Sequence, residues 1–389
     1  MAIPFKYMVK NFRTRRLSTI VTLAGIALVI FVFTAVLMMA NGVKKTLVTT
    51  GSPDNVVVSR KGSNGEISSI IDVETQNIIA TLPGVAKSPD GTPAISYQPV
   101  VVINLTTPDG GMTNVSVRGV SQQTFYIHPE VKIVSGRNFN PSLHEAIVGE
   151  AVARRFQNAK IGGEIKLAGD YWKVVGTFSD NGSGFDSEIW CDSHQIQDAF
   201  HRGSTVSTVT LKLDKPSDFD VFKSAFASDK RLQQFEPKGE QAYFSEQSET
   251  LAAFISILGT IVTIIFSIGA AIGAMITMYA EVANRTTEIG TLRALGFSRS
   301  SVLTVFLCES ILISIAGGAL GIILASLLQF LSVSTLNFDT FSELTFNFAL
   351  TPFAVVLSII FAVFMGVIGG FLPSARAARM NIVNALRGG

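Results

Sequence analysis

The residues best placed to do chemistry in this chain lie between Glu281 and Glu309, in the stretch EVANRTTEIGTLRALGFSRSSVLTVFLCE. Glu281 and Arg285 stand four apart with the acid first, the order that best supports a helix. Glu309 is a lone carboxylate inside an apolar run. Side chains of these types make ion pairs and hold helices; residues 41–250 show no nucleophile–base constellation, and no HExxH pattern occurs. The four histidines, His128, His144, His194 and His201, lack metal-ligand spacing. Ser179–Ser187 (SDNGSGFDS) carries scattered acids without calcium-loop spacing and reads as a flexible loop. Cys308 lies in an apolar run and Cys191 in a polar one, so no disulfide framework is expected. Neither a GxxxxGK[ST] loop nor even a Gly-Lys dipeptide is present, so nothing here can cradle a nucleotide's phosphates with a lysine. The reading is of a chain with no catalytic residue and no metal site.

The elements that must position this stretch are membrane helices. Of 389 residues, 48% are hydrophobic and 15% charged, and the mean hydropathy is +0.41. A net charge of +2 makes no case for a nucleic-acid binder. Four runs have the roughly 20 apolar residues a bilayer crossing needs. They are 17–40, 251–279, 302–331 and 353–372, the last expected to stop at Pro373. Lys6, Lys10, Arg13, Arg15 and Arg16 precede the first run. Arg285, Arg293 and Arg299 lie between the second and third, and Arg376, Arg379 and Arg387 follow the fourth. The short loop 332–352 has Asp339 and Glu343 and no Lys or Arg. The positive-inside rule then places both termini and the 280–300 connector in the cytoplasm, and 41–250 outside the inner membrane. The lead, 1–16, has Phe5, Met8, Val9 and Phe12 at helical spacing among its basic residues. It reads either as an amphipathic helix on the inner surface or as a plain basic anchor. Its apolar run is too long for a cleaved signal peptide.

Residues 41–250 mix strand-like runs (55–59, 100–105, 114–118, 146–148, 172–178 and 208–213) with helix-like ones (73–82 and 218–226). This is an α+β domain, with a middle subdomain nested in an outer one. The fold class is thus an α-helical membrane protein with a large α+β domain between its first and second spans. Gln241 to Thr250 are helix-compatible, so both flanking helices can project beyond the membrane as stalks.

Within the 280–300 connector, Val282, Ile289 and Leu292 form one apolar edge, while Gly290 and Gly296 permit a close neighbour or a turn. Such a helix either docks into a partner's groove or serves as a solvated connector. Arg285-Thr-Thr-Glu288-Ile289-Gly290-Thr-Leu292-Arg293-Ala294-Leu295-Gly296 resembles the signature of the MacB/FtsX-like ABC transporter permeases. The likeness continues through Glu309-Ser310 and the Gly-rich third span. It returns in the tail from Pro373 through Arg376 and Arg379 to Arg387. Asn284, Ile382 and Asn384 stand where that pattern usually has an acid, Pro and Glu. Weaker agreement runs through Arg118-Gly119-Val120, Ser135-Gly136-Arg137 and Ile147-Val148-Gly149 in the outer domain.

The resemblance implies a permease of the mechanotransmission type, working as a homodimer or a related heterodimer with two copies of a cytoplasmic ATPase that binds ATP and Mg. Arg285, Glu288, Ile289, Gly290, Leu292, Arg293 and Gly296 would form the coupling helix. A periplasmic adaptor and an outer-membrane channel are further implied partners. The work would be export, efflux or extraction of a drug, peptide, lipid or lipoprotein. The alternative is an FtsX-like regulator of an envelope enzyme or kinase. A secondary transporter is disfavoured by the lack of span repeats and polar midplane residues. Gly269/Gly273, Gly317/Gly321 and Gly366/Gly370 are small-xxx-small pairs that let helices pack closely in lipid. Glu309 reads as a structural acid near the coupling helix, with a proton relay as the alternative.

Overall fold

The computed structural model describes residues 16–63, 65–337 and 340–382. The expected amphipathic lead and the tail residue Arg387 lie outside them. The chain divides into two compact units, one taking in residues up to 41, 253–331 and 348 onward, the other 42–252 and 332–347.

In chain order the helix α1 (Arg16–Thr50) is followed by β1 (Asn55–Arg60), α2 (Val73–Ala80) and β2 (Ile95–Gln98). Then come β3 (Val100–Thr106), β4 (Met112–Val120), α3 (Gln122–Ile127), β5 (Lys132–Gly136), β6 (Glu145–Gly149) and α4 (Glu150–Arg155). The middle closes with β7 (Glu164–Leu167), β8 (Asp170–Ser179), β9 (Glu188–Asp192) and α5 (Ser193–Ala199). β10 (Thr208–Lys212), α6 (Phe219–Ser228) and β11 (Phe235–Gly239) lead into α7 (Glu240–Asn284), α8 (Thr286–Ala294) and α9 (Arg299–Ser326). A hairpin, β12 (Ser332–Asn337) and β13 (Ser342–Asn347), precedes α10 (Pro352–Ala378).

Among the described residues four helices, α1, α7, α9 and α10, are long and apolar enough to cross a membrane. Two of them overrun their apolar runs. α1 has 35 residues and α7 has 45, about 52 Å and 68 Å at 1.5 Å per residue, against a hydrocarbon core of about 30 Å. Hydropathy ends at the membrane, but a helix ends only where its backbone is capped or turned. α10 corrects the expectation of a stop at Pro373: the proline lies inside the helix, which continues to Ala378. Packing outweighs the lost N–H here. Ser374 and Ala377 are fully buried, and Ala377 joins a core with Met278, Val282, Ile289, Val302 and Phe306.

Four of the paired glycines sit at helix contacts. A Cβ on Gly317 would lie 2.9 Å from the Leu23 carbonyl oxygen, and one on Gly321 2.6 Å from that of Ala27, both on α1. Gly366 and Gly370 pass as closely over Ser314 and Ser310 of α9. Gly269 and Gly273 meet nothing within 4 Å, so no close packing among the described residues uses that pair.

Besides the β12-β13 pair, the outer unit has two larger sheets among the described residues. One has the order β11-β1-β10-β2; the other is seven-stranded, ordered β3-β4-β9-β6-β8-β5 with β7 beside β8. All strands of the second lie in sequence between β2 and β10 of the first. Arg118 of β4 is buried at their junction. It makes two hydrogen bonds to Glu188 (2.8 and 2.7 Å), two to Glu66 (2.9 and 2.6 Å) and one to Gln98 (2.9 Å). The ring of Phe185 lies 5.3 Å from the guanidinium.

The loop between the third and fourth spans is more than the short polar connection expected. Its hairpin packs on the seven-stranded sheet: Ser116 bonds Ser342 (2.8 Å), Asn114 donates to the Phe341 carbonyl (2.7 Å), and Arg155 pairs with Glu343 (2.6 Å). The ends of α1 and α7 also meet within this unit. Glu240 accepts from the Ser52 N–H and from Asn55, both at 2.9 Å. A Cβ on Gly51 would lie 2.6 Å from the Gln241 nitrogen.

The 179–187 segment is likewise no loose loop. Asp186 accepts the N–H groups of Asp180 (2.6 Å) and Gly182 (2.8 Å), and Ser183 donates to Asp180. Among the described residues no His, Cys, Asp and Glu cluster can hold a metal ion. Burial raises the Asp180 carboxyl to about 7, with Asp186 and Glu130 adding and the Ser183 hydroxyl opposing. An acid raised in the fold supports stability fully below its unfolded value near 3.8 and loses that support as pH rises through about 7. Asp180→Asn keeps a hydrogen-bond acceptor and cannot ionise. We expect its outer unit to unfold roughly 3 °C or more above wild type at pH 8, the gap closing between pH 7 and pH 4, as followed by tryptophan fluorescence of the full chain. His128, lowered to about 3 by burial and then by Arg118 and Lys212, has the opposite slope: its support is present above pH 6.5 and fades toward pH 3. It is common to both proteins and cancels in the comparison.

Candidate functional site

The stretch 281–309 forms a corner between two apolar helices. α7 runs to Asn284, Arg285 breaks the helical path with φ −112°, and α8 begins at Thr286. α8 closes in a left-handed turn. Gly296, at φ +93°, sends its N–H to the Arg293 carbonyl (3.2 Å), and Phe297 sends its own to that of Leu292 (3.2 Å). This is the 5→2 and 6→1 pairing of a Schellman ending, which favours glycine at this position. Ser298 then caps α9 by accepting the Ser301 N–H at 3.1 Å.

Arg285 is the centre of the corner. Its side chain is 4% exposed and meets three carboxylates: Glu309 at 2.9 Å, Glu288 at 3.1 Å and Glu281 at 3.4 Å. The ring of Phe306 lies 4.8 Å from its guanidinium. One buried cation thereby ties the end of α7, the first turn of α8 and the third turn of α9 to one another. Glu309 has its charge partner inside the chain, which is the geometry of a structural acid. Burying Arg285 and Glu309 is tolerated only because each is paired and hydrogen-bonded. Arg376 of α10 adds a cation–π contact, 5.6 Å from the ring of Tyr279, and Arg379 forms the C-cap of α10.

The apolar edge read from the sequence does not face outward. Ile289 is 1% and Val282 2% exposed, both packed into the core with Met278, Val302, Phe306 and Ala377. Gly290 is buried as well. This corrects the expectation of a docking face for two of the three residues of that edge: the corner needs Val282 and Ile289 for its own core. The side left open is Thr287, Glu288, Thr291, Ala294 and Leu295, with Leu295 69% exposed. Leu292 and Arg293 lie at the border, the latter donating to the Phe297 carbonyl at 3.0 Å. Sequence reasoning missed Phe306 as a partner of Arg285. Its position three residues before Glu309, hence on the same helix face, was the available signal.

Comparison with known proteins places both halves of the chain. The model of the MacB-like periplasmic core domain matches residues 19–228, and that of the FtsX-like permease C-terminal region matches residues 251–382. A macrolide export ATP-binding/permease protein, MacB 2 of Yersinia pestis bv. Antiqua, is 26% identical over 75% of this chain and 44% of its own length. MacB of Campylobacter jejuni is 33% identical over 38% of this chain and 23% of its own. The chain thus spans less than half the length of these relatives. Among solved structures, the periplasmic region of MacB from Actinobacillus actinomycetemcomitans aligns with 49% of this chain and 90% of that one, at 13% identity and a TM-score of 0.38. The extracellular domain of the noncanonic ABC-type transporter YknZ from Gram-positive bacteria aligns with 47% and 99%, at 12% and 0.35.

Proposed function

The chain belongs to the FtsX-like permeases that carry a MacB-like periplasmic core domain, and from that premise we propose that it couples ATP hydrolysis on a separate cytoplasmic chain to movement of its extracytoplasmic domain. The observation that carries this reading is the Arg285 corner. A push on the open edge of α8 is delivered through Arg285 to α7 and α9 together, because Glu281 and Glu309 hold the same guanidinium. α7 is one helix from Glu240 to Asn284, the element along which the displacement would run. α1 and α7 would act as stalks, and the cytoplasm would hold both termini and α8.

In this reading two copies of the permease, or one with a related chain, assemble with two ATPase copies that supply the ATP and Mg chemistry. The chain itself does no catalysis. Its work is export or extraction of an amphipathic or apolar substrate. The names of the relatives, macrolide export proteins, support that class without choosing the substrate, the adaptor or the outer-membrane channel.

The test is co-purification of the tagged full chain with the ATPase of its own gene neighbourhood, followed by ATP hydrolysis in nanodiscs. A retained ATPase whose turnover responds to the permease is the expected result. Leu295→Glu, on the open edge and outside the core, is expected to lower ATPase retention and stimulation about tenfold or more while leaving the unfolding temperature unchanged. Retention of no ATPase, with or without trapped nucleotide, overturns the coupling reading in favour of a stand-alone regulator. Full stimulation by Leu295→Glu would move the docking edge elsewhere.

A further inference from the structure

The outer unit carries a groove of about 500 Å³ between α6, β11 and the first turns of α7, within the roughly 300–1,000 Å³ of small-molecule clefts. Its wall is apolar, with Phe219, Phe226 and Phe235 along it. Three lysines line the same groove. Lys238 is outweighed by two carboxylates that line the groove with it, 3.3 Å from Glu236 and 2.8 Å from Glu246, so three lysines against two glutamates leave the groove one positive charge in excess. The other two have no acid partner among the ion pairs of the described residues. Lys61 donates one N–H to the Gln233 carbonyl at 2.8 Å, and an ammonium carries two more. Lys223 lies 5.8 Å from the Phe219 ring, against the apolar wall. An apolar trough with unneutralised ammonium groups complements a molecule that is apolar along its body and anionic at its head.

The groove also borders the outer edge of β11, which among the described residues pairs only with β1. A peptide adding as a further strand would need that edge's backbone groups, and Pro237 in the middle of β11 offers no N–H. Lysine on an edge strand likewise resists strand addition. Recognition here falls to side chains and favours a small ligand over an extended chain.

We propose that this groove binds an anionic amphiphile: a single acyl chain headed by a carboxylate or phosphate, the head between Lys61 and Lys223 and the chain along the three phenylalanines. The site stands apart from the coupling proposal, because its occupancy can be read without an ATPase.

The experiment is photolabelling of the full chain in nanodiscs with a photoactivatable long-chain fatty acid, mapped by peptide mass spectrometry. Labels are expected within 219–246, displaced by unlabelled fatty acid and by an alkyl phosphate but not by the matching alkyl alcohol. The anion that competes at lower concentration identifies the headgroup. The double variant Lys61→Glu and Lys223→Glu is expected to lower this labelling about tenfold, with labelling of the membrane helices unchanged. Ala242→Trp, which fills the groove from α7, should abolish it. Labels confined to the membrane helices, equal competition by the alcohol, or undiminished labelling in the variants would each overturn the proposal.

Discussion

Arg285→Met is expected to destabilise the membrane unit by about 3–5 kcal/mol, the cost of breaking a buried ion pair by removing one partner. The residue lost is only part of the damage. Glu309, 2% exposed, would be left without its cation 2.9 Å away, inside a helix bounded by apolar side chains. Glu281 and Glu288 would face it with no charge between them. The measurement is thermal unfolding of the full chain in one detergent, beside Glu309→Gln and the double variant. Glu309→Gln alone should cost much less, since Arg285 keeps Glu281 and Glu288 and a neutral amide still accepts its hydrogen bond. The double variant should recover a large part of the loss, because the charge stranded by the first change is removed by the second. If Arg285→Met unfolds where wild type does, the corner is not held by its ion pairs. If the double variant is no better than the single, the loss comes from packing on Phe306 rather than from a stranded carboxylate.

Arg118→Met should have an effect of the same order on the outer unit, again about 3–5 kcal/mol. The guanidinium makes five hydrogen bonds to Glu66, Glu188 and Gln98, and without it two carboxylates remain close together in a buried site. Such a pair resists double ionisation. The deficit should therefore shrink as pH is lowered and one acid takes up a proton. Arg118→Lys should sit nearer to methionine than to wild type: a single ammonium cannot reproduce the planar fork that serves two carboxylates and an amide. Unfolding followed by fluorescence of Trp190, whose indole donates to Glu188 at 2.8 Å, reports on this cluster directly. An Arg118→Lys protein as stable as wild type would show that charge alone suffices there.

Both clusters bear on how far the sequence could be read. Arg285, Glu288 and Glu309 stood out by motif and by hydropathy, and Arg118 by its place in the weaker family agreement at Arg118-Gly119-Val120. Their partners were harder. The pairing of Arg285 with Glu281 follows from helical spacing, but its bond to Glu309 crosses 24 residues and a turn. Glu66 lies 52 residues from Arg118, and no local pattern joins them. The docking edge was misread because an apolar residue on a short connector looks the same whether it faces a partner or its own core. Ile289 is resolved only once Met278, Val302 and Phe306 surround it.

What the sequence determined by itself is what local physics sets: four apolar runs long enough to span a bilayer, the asymmetry of basic residues around them, an α+β insertion after the first, and the motif that names the connector. Hydropathy and helical period act over a few turns and can be read directly from a linear string. Tertiary structure decided the rest. It carried α10 through Pro373, folded the 332–347 segment into a hairpin on the outer unit's sheet, brought Gly51 against Gln241, and turned Ile289 inward. Each of these depends on contacts between residues far apart in the chain, whose energy exists only once the intervening segments are packed.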